Sequence, residues 1–198
     1  MELYINGEKV DASIENEKTV GDVLQSFAKE CENNNAAVIG IKVDGNQISA
    51  QMFDEASKAP LTENSKFEFD IVNQAAVSEA AKDFSKVLDC LSSEIEQVPS
   101  LFMNGKGQEA NDSIKKLADA IDQFCHIAAL ASLFPEKFNA SKIGDKNFSE
   151  FFNDFSPILS DFENALASND TVLTGDLCEY EICPRLKEMS LCLAEFAR

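Results

Sequence analysis

The side chains able to do chemistry are few. His126 is the one histidine of the 198-residue chain, so any Ser-His-Asp or Cys-His-Asn relay would have to be built on it. It falls instead inside a stretch with its own helical packing stripe. Carboxylate-bridged metal sites in helix bundles use Glu-x-x-His pairs, and the residue three before His126 is Gln123. Cys125 and His126 with Cys178 and Cys183 would make a zinc-type donor set. Residues five apart on an α-helix, however, are turned by about 500° and point in different directions. The phosphate-binding patterns GxGxxG and GxxxxGKS/T are absent, and Asn104-Gly105-Lys106-Gly107 is too short and lacks a preceding strand. The expectation is therefore a non-enzymatic chain with no catalytic residue, no metal ligand and no cofactor.

Two stretches carry a different chemistry, that of surface contact. Asp176, Glu179 and Glu181 surround Tyr180. The plain reading is a solvated face; the sharper one is a docking patch for a basic or amide-rich partner. Leu101-Phe102-Met103 is an apolar triplet before Asn104. Its plain reading is a loop tucked beneath a helical bundle. The functional reading is a partner contact, because apolar loop tips are costly in water.

Charge narrows the partner. The chain holds 17 basic and 35 acidic residues, a formal charge of −18. Residues 1–72 hold 14 acids and 6 bases, and the remainder 21 and 11. Such a surface repels phosphate backbones and anionic lipid, so neither nucleic acid nor membrane is expected, whereas a protein with a basic surface fits. No apolar run reaches the length of a membrane span. The start, Met-Glu-Leu-Tyr-Ile-Asn-Gly, has no basic segment leading into an apolar run, so no cleaved signal is expected. The six cysteines form no CxxC pair and sit mostly on apolar helical stripes, which fits a reduced cytoplasmic setting.

The elements that must position these residues follow from side-chain rhythm. From Val77 the apolar residues recur every third or fourth position. Val77, Ala81, Phe84, Leu88, Leu91, Ile95 and Val98 form one stripe, ended by Pro99. A second helix is expected from Gln108 to Leu133, its stripe Ile114, Leu117, Ile121, Phe124, Ala128 and Ala131, widened by Ile127, Leu130 and Phe134. Residues 135–146 read as a polar loop. A third stripe, Phe148, Phe151, Phe152, Phe155, Leu159, Phe162 and Leu166, suits an aromatic core layer, with Pro157 expected to kink or split it. Ser168-Asn169-Asp170 is a turn and cap for a fourth helix, Thr171 to Ala197, which Pro184 should bend near Tyr180 and Glu181. Short connections favour an antiparallel four-helix bundle over residues 73–198.

Residues 1–72 keep a period of two. Leu3 and Ile5 alternate with Glu2 and Tyr4, Asn6-Gly7 signals a hairpin, and Val10, Ala12 and Ile14 alternate with charged or polar residues. Thr19 caps a helix with Asp22 in its first turn, and Val20, Val23, Leu24, Phe27, Ala28 and Cys31 form its apolar face. Val38 to Val43 is a strand, followed by the turn Asp44-Gly45 and a brief strand near Ile48. Phe67, Phe69 and Ile71 alternate in a last strand.

This order of elements resembles the β-grasp, or ubiquitin-like, fold. The resemblance covers the first third of the chain and implies a small sheet wrapped on one helix, often a protein-recognition module. Ubiquitin-like modifiers and sulfur carriers act through a free C-terminal Gly-Gly. Here Ile71-Val72-Asn73 passes straight into a helix, so the resemblance implies a binding or scaffold role. The Asp176–Pro184 run with the Asn104–Gly107 turn resembles bacterial helical proteins of unknown function. The expectation is thus an α+β chain: a β-grasp-like domain at 1–72 and a four-helix bundle at 73–198. It would act as a cytoplasmic adaptor or chaperone-like factor. Two alternatives stay open: an enzyme with a site between the domains, and a structural homodimer built on the phenylalanine-rich helix. The oligomeric state is open.

Overall fold

The computed structural model describes residues 1–11, 17–138 and 142–196. The chain is α+β and divides into two compact units, Met1–Ala76 and Val77–Arg198.

In the first unit, β1 (Glu2–Ile5) and β2 (Glu8–Val10) form an antiparallel hairpin. Its turn residues Asn6 and Gly7 both take positive φ, 50° and 83°, as a two-residue hairpin loop requires. Asn6 does more than turn the chain. Its side chain accepts from the Ile71 amide at 2.8 Å and donates to the Ile71 carbonyl at 3.2 Å, fastening the hairpin tip to β5 (Lys66–Asn73). β5 lies at the centre of a five-stranded mixed sheet of order β2-β1-β5-β3-β4. It runs parallel to β1, with Leu3 opposite Phe67, and antiparallel to β3 (Ala36–Val43). β4 is only Asn46–Gln47, joined to β3 through Asp44-Gly45. Helix α1 (Val20–Asn33) opens with a reciprocal cap: Thr19 Oγ1 accepts from the Asp22 amide while the Asp22 carboxylate accepts from the Thr19 amide. Its Val20, Val23 and Leu24 join Leu3, Val43, Phe67 and Phe69 in the core, and the Phe27 and Phe69 rings stack at 3.8 Å. A one-turn helix, α2 (Phe53–Ala56), is one that alternation did not foretell. The expected alternation at Ala12 and Ile14 lies outside the described residues.

The second unit is mostly helical, but more segmented than four staves. Its described residues form α3 (Gln74–Glu96), α4 (Val98–Met103), α5 (Gly107–Ala131), α6 (Pro135–Phe138), α7 (Phe148–Ala167), α8 (Thr171–Leu177) and α9 (Cys183–Phe196). A π-helical segment, Cys178–Ile182, joins α8 to α9. Three expectations are corrected here. Leu101-Phe102-Met103 is helical, not loop, because Pro99 sits in the first turn of α4, where its missing N–H costs nothing. Pro157 does not split α7, which runs through it. Pro157 and Asn153, whose carbonyl loses its partner, both face water. The region 135–146 contains the α6 turn with Phe138 buried, and residues 139–141 lie outside the description.

The interior is closed by small residues as much as by large ones. Along α5 the buried positions are Ala110, Ser113, Leu117, Ala120, Phe124, Ile127 and Ala131, a strict three-four alternation rotated away from the expected Ile114 and Ile121, which are half-buried. Ser190 Oγ donates to the Ser85 carbonyl at 2.9 Å. Two turns away, Cys183 Sγ donates to the Ser92 carbonyl at 3.3 Å and Ser92 Oγ to the Cys183 carbonyl at 3.4 Å. These pairs set α3 and α9 antiparallel in close register. Phe155, Leu88, Ile95, Phe124, Leu186, Met189 and Leu193 are fully buried around them.

Candidate functional site

The π segment has a local cause. Pro184 has no amide hydrogen to give the Tyr180 carbonyl, and its ring would crowd that carbonyl in a regular α-turn. The backbone widens instead, with the Cys183 amide bonding to the Cys178 carbonyl five residues back. The expected bend at Tyr180–Glu181 is thus taken up as a π-turn. Arg185 repairs part of the exposed backbone: its Nη1 donates to the Glu181 carbonyl at 2.8 Å and to the Glu181 carboxylate at 2.7 Å. The same widening corrects the expectation that Cys178 and Cys183 point apart. An i-to-i+5 turn brings residues five apart onto one side, and both thiols are buried, at 0% and 2% exposure.

The continuous α8–π helix therefore has two faces. Thr174, Gly175, Cys178 and Ile182 are buried. At Gly175 α4 comes close: a Cβ there would lie 3.1 Å from Pro99 Cβ and 3.2 Å from its Cγ. Helix α4 packs on both α8 and the π segment, which brings the element carrying Leu101, Phe102 and Met103 to the elements carrying Asp176, Glu179, Tyr180 and Glu181. Leu101 and Phe102 are half-buried, whereas Met103 is 88% exposed.

The outward face of α8 and the π segment mixes apolar and acidic groups. Val172, Leu173, Asp176, Glu179 and Tyr180 recur at helical spacing and all face water, Val172 at 73% and Tyr180 at 65% exposure. A hydrogen bond from the Tyr180 hydroxyl to Glu179, with the charge of that carboxylate and of Asp176, pushes the Tyr180 phenol above its ordinary range. Glu181 is half-buried and engaged by Arg185, which takes it out of the exposed set. Val172 and Leu173 were missed at the sequence level. An apolar pair just after a cap reads equally well as buried or exposed until the inward face of the helix is known; Val23 and Leu24, also adjacent, are both buried.

A second feature was not foreseen at all. Between α3 and α5 runs a groove of about 580 Å³, its lining including Phe84, Lys86, Val87, Cys90, Asp119 and Ala120. The ion pair Lys116–Glu94, at 2.7 Å, spans it. Val87 is apolar, 51% exposed and off the α3 stripe.

The candidate chemical groups stay apart. His126 and Cys125 are exposed on α5, while Cys178 and Cys183 are buried. Among the described residues no group of three or more His, Cys, Asp or Glu side chains is placed to hold a metal ion. Burial pushes the Cys178 and Cys192 thiols up to about 12, so they pack as small neutral hydrophobes. Among the described residues, no helix is long and apolar enough to cross a membrane.

Comparison with known proteins adds a family. Residues 1–73 match the family model described as the TP0873 N-terminal domain, and residues 79–191 match the one described as Domain of unknown function (DUF8042). A Treponema pallidum (strain Nichols) protein described as "Uncharacterized protein" is 22% identical over 190 residues, covering 96% of this chain and 94% of that one. No solved structure matches the chain. Because the second match takes in more than half of the sequence, almost the whole helical unit and with it both surfaces described above, this protein belongs to the DUF8042 domain family.

Proposed function

We propose that this protein is a non-enzymatic protein-interaction factor of the cytoplasm, an adaptor or chaperone-like protein built from a ubiquitin-like β-grasp module and an antiparallel four-helix bundle. One observation carries the reading: Val172, Leu173 and Tyr180 stand in water on one helical face. Met103 stands barer still, at 88% exposure, on the helix packed beside it. Large apolar groups gathered on neighbouring elements mark surfaces that another molecule covers.

The architecture supports the same reading. A mixed sheet with β5 central, parallel to β1, and a single long helix contributing to its core is compatible with the β-grasp arrangement we propose. Since β5 is followed directly by α3, the module has no Gly-Gly tail for conjugation or sulfur transfer. In the helical unit the long segments α3, α5, α7 and α8–α9 act as the staves, and α4 and α6 as their connections. The two rival readings have less to work with. An enzyme needs converging polar groups in a cleft, and His126 does not line the α3–α5 groove. A homodimer on the phenylalanine-rich helix needs rings to offer, and Phe151, Phe155 and Phe162 are buried within their own unit.

The test is affinity capture from the native cell with the wild-type chain and with Met103→Asp and Val172→Asp. Both sites are exposed, so the variants should keep wild-type helicity. A protein retained by the wild type and lost by both variants is the expected result. Recovery of a metabolite, or of the same protein by all three baits, would refute this use of the surface.

A further inference from the structure

We infer that the partner seated on the α8–π face is a cationic amphipathic segment, one presenting lysine or arginine beside two or three apolar side chains. This rests on the docking reading above and names the chemistry of the occupant. The charge on this part of the chain is uncompensated. From Asn147 to Pro184 the chain has eight acidic residues and no Lys or Arg, although the whole chain has about one base for every two acids. Some of the eight are already engaged. Lys146 takes Asp154, Arg185 takes Glu181, Glu150 closes the cap of α7, and Asp170 caps α8. Asp161, Glu163, Asp176 and Glu179 have no cationic partner among the described residues.

Two of these four lie on the docking face. Asp176 and Glu179 share it with Val172, Leu173 and Tyr180, so apolar and anionic groups alternate over roughly 12 Å of helix, two turns. A plain solvated face would not carry the apolar members. A purely hydrophobic contact would not intersperse unpaired carboxylates, whose desolvation without a counter-charge is unfavourable. A segment with apolar anchors and flanking cations satisfies both. Anionic lipid and nucleic acid are repelled from the same face.

The experiment titrates the full chain with a labelled amphipathic Lys/Leu peptide and with its Glu/Leu counterpart. The Lys/Leu peptide should bind, weaken steeply as NaCl is raised, and lose at least about tenfold in affinity to Asp176→Lys/Glu179→Lys. It should weaken likewise for Val172→Asp. A control, Glu8→Lys/Glu32→Lys, reverses two exposed charges in the other unit and should leave affinity within about twofold. No binding by the Lys/Leu peptide, equal loss in the control, or equally tight binding of the Glu/Leu peptide would overturn the assignment. The natural partner separates this from the docking reading. A captured protein lost by Val172→Asp but kept by Asp176→Lys/Glu179→Lys leaves the docking surface standing and removes its cationic occupant. Insensitivity to both removes the two together.

Discussion

Asp22 shows how one carboxylate can hold a helix end. It accepts from the amides of Lys18 and Thr19, both at 2.9 Å, and these bonds, with a smaller one from the Thr19 hydroxyl, hold its carboxyl below the usual carboxylate range. A depressed folded-state value has one sign. The stabilisation is fully present above the unfolded value and disappears as pH falls through the lower folded value. Protonation of Asp22 should therefore loosen the start of α1 in acid. Glu2, Glu68, Asp83 and Asp154 are also lowered, each by its lysine partner, so the whole chain loses stability there. The difference between wild type and Asp22→Asn isolates this one group. Protection factors of the Val20–Val23 amides, which divide out the intrinsic pH dependence of exchange, should fall in the wild type as pH drops below about 5 and change less in the variant. Parallel curves would mean that the cap does not titrate.

At the scale of elements, the α3–α9 pair shows that close approach can depend on small polar residues. Ser190→Ala removes a buried bond to the Ser85 carbonyl and should cost about 1 kcal/mol. Ser190→Leu must also force the helices apart and should cost at least about 1–3 kcal/mol. Urea midpoints at constant m-value check both, and a Leu variant no weaker than the Ala variant would show that the interface has slack. The same residues explain what could be read from the sequence. Strands β1, β3 and β5, the Asn6-Gly7 turn and the Thr19 cap follow from period, turn chemistry and capping, all local properties. The long helices follow from stripes of large apolar residues. Ser85, Ser92, Ser113 and Ala120 escape such a count, because a small residue is buried only when another helix is near, and that is not written locally. The π segment escapes for a related reason. Pro184 announces an interruption, but whether the backbone bends or widens depends on what Cys178 and Ile182 can bury. Of the surface residues, Asp176 and Glu179 could be singled out by charge and Tyr180 by its place among them. Val172, Leu173 and the α3–α5 groove became visible only once the inward faces were known.

At the scale of the molecule, the excess of 18 negative charges opposes the ion pairs. Those pairs are mostly exposed, Lys86–Asp83 and Lys106–Glu109 with more than half of each side chain in water, and exposed pairs contribute about 0–1 kcal/mol each. Added NaCl weakens both effects, since the screening length falls from about 30 Å at 0.01 M to about 8 Å at 0.15 M. The pairs are close contacts, at 2.8 and 3.1 Å, and lose little to screening at that range. Repulsion among unpaired carboxylates acts over longer distances and loses most. Screening should therefore remove more repulsion than attraction, and the melting temperature should rise with NaCl, with most of the gain below about 0.15 M. The gain should also be uneven. Residues 147–184 have acids without bases, so amide protection in α7, α8 and the π segment should increase more than in β1 and β2, where Lys9 pairs with Glu2. Chloride is the salt to use, because sulfate would also strengthen apolar burial. A melting temperature that falls with NaCl would mean that the ion pairs dominate. A rise shared equally by both units would mean that the charge acts as a general field, not through the base-free face on which partner binding is proposed.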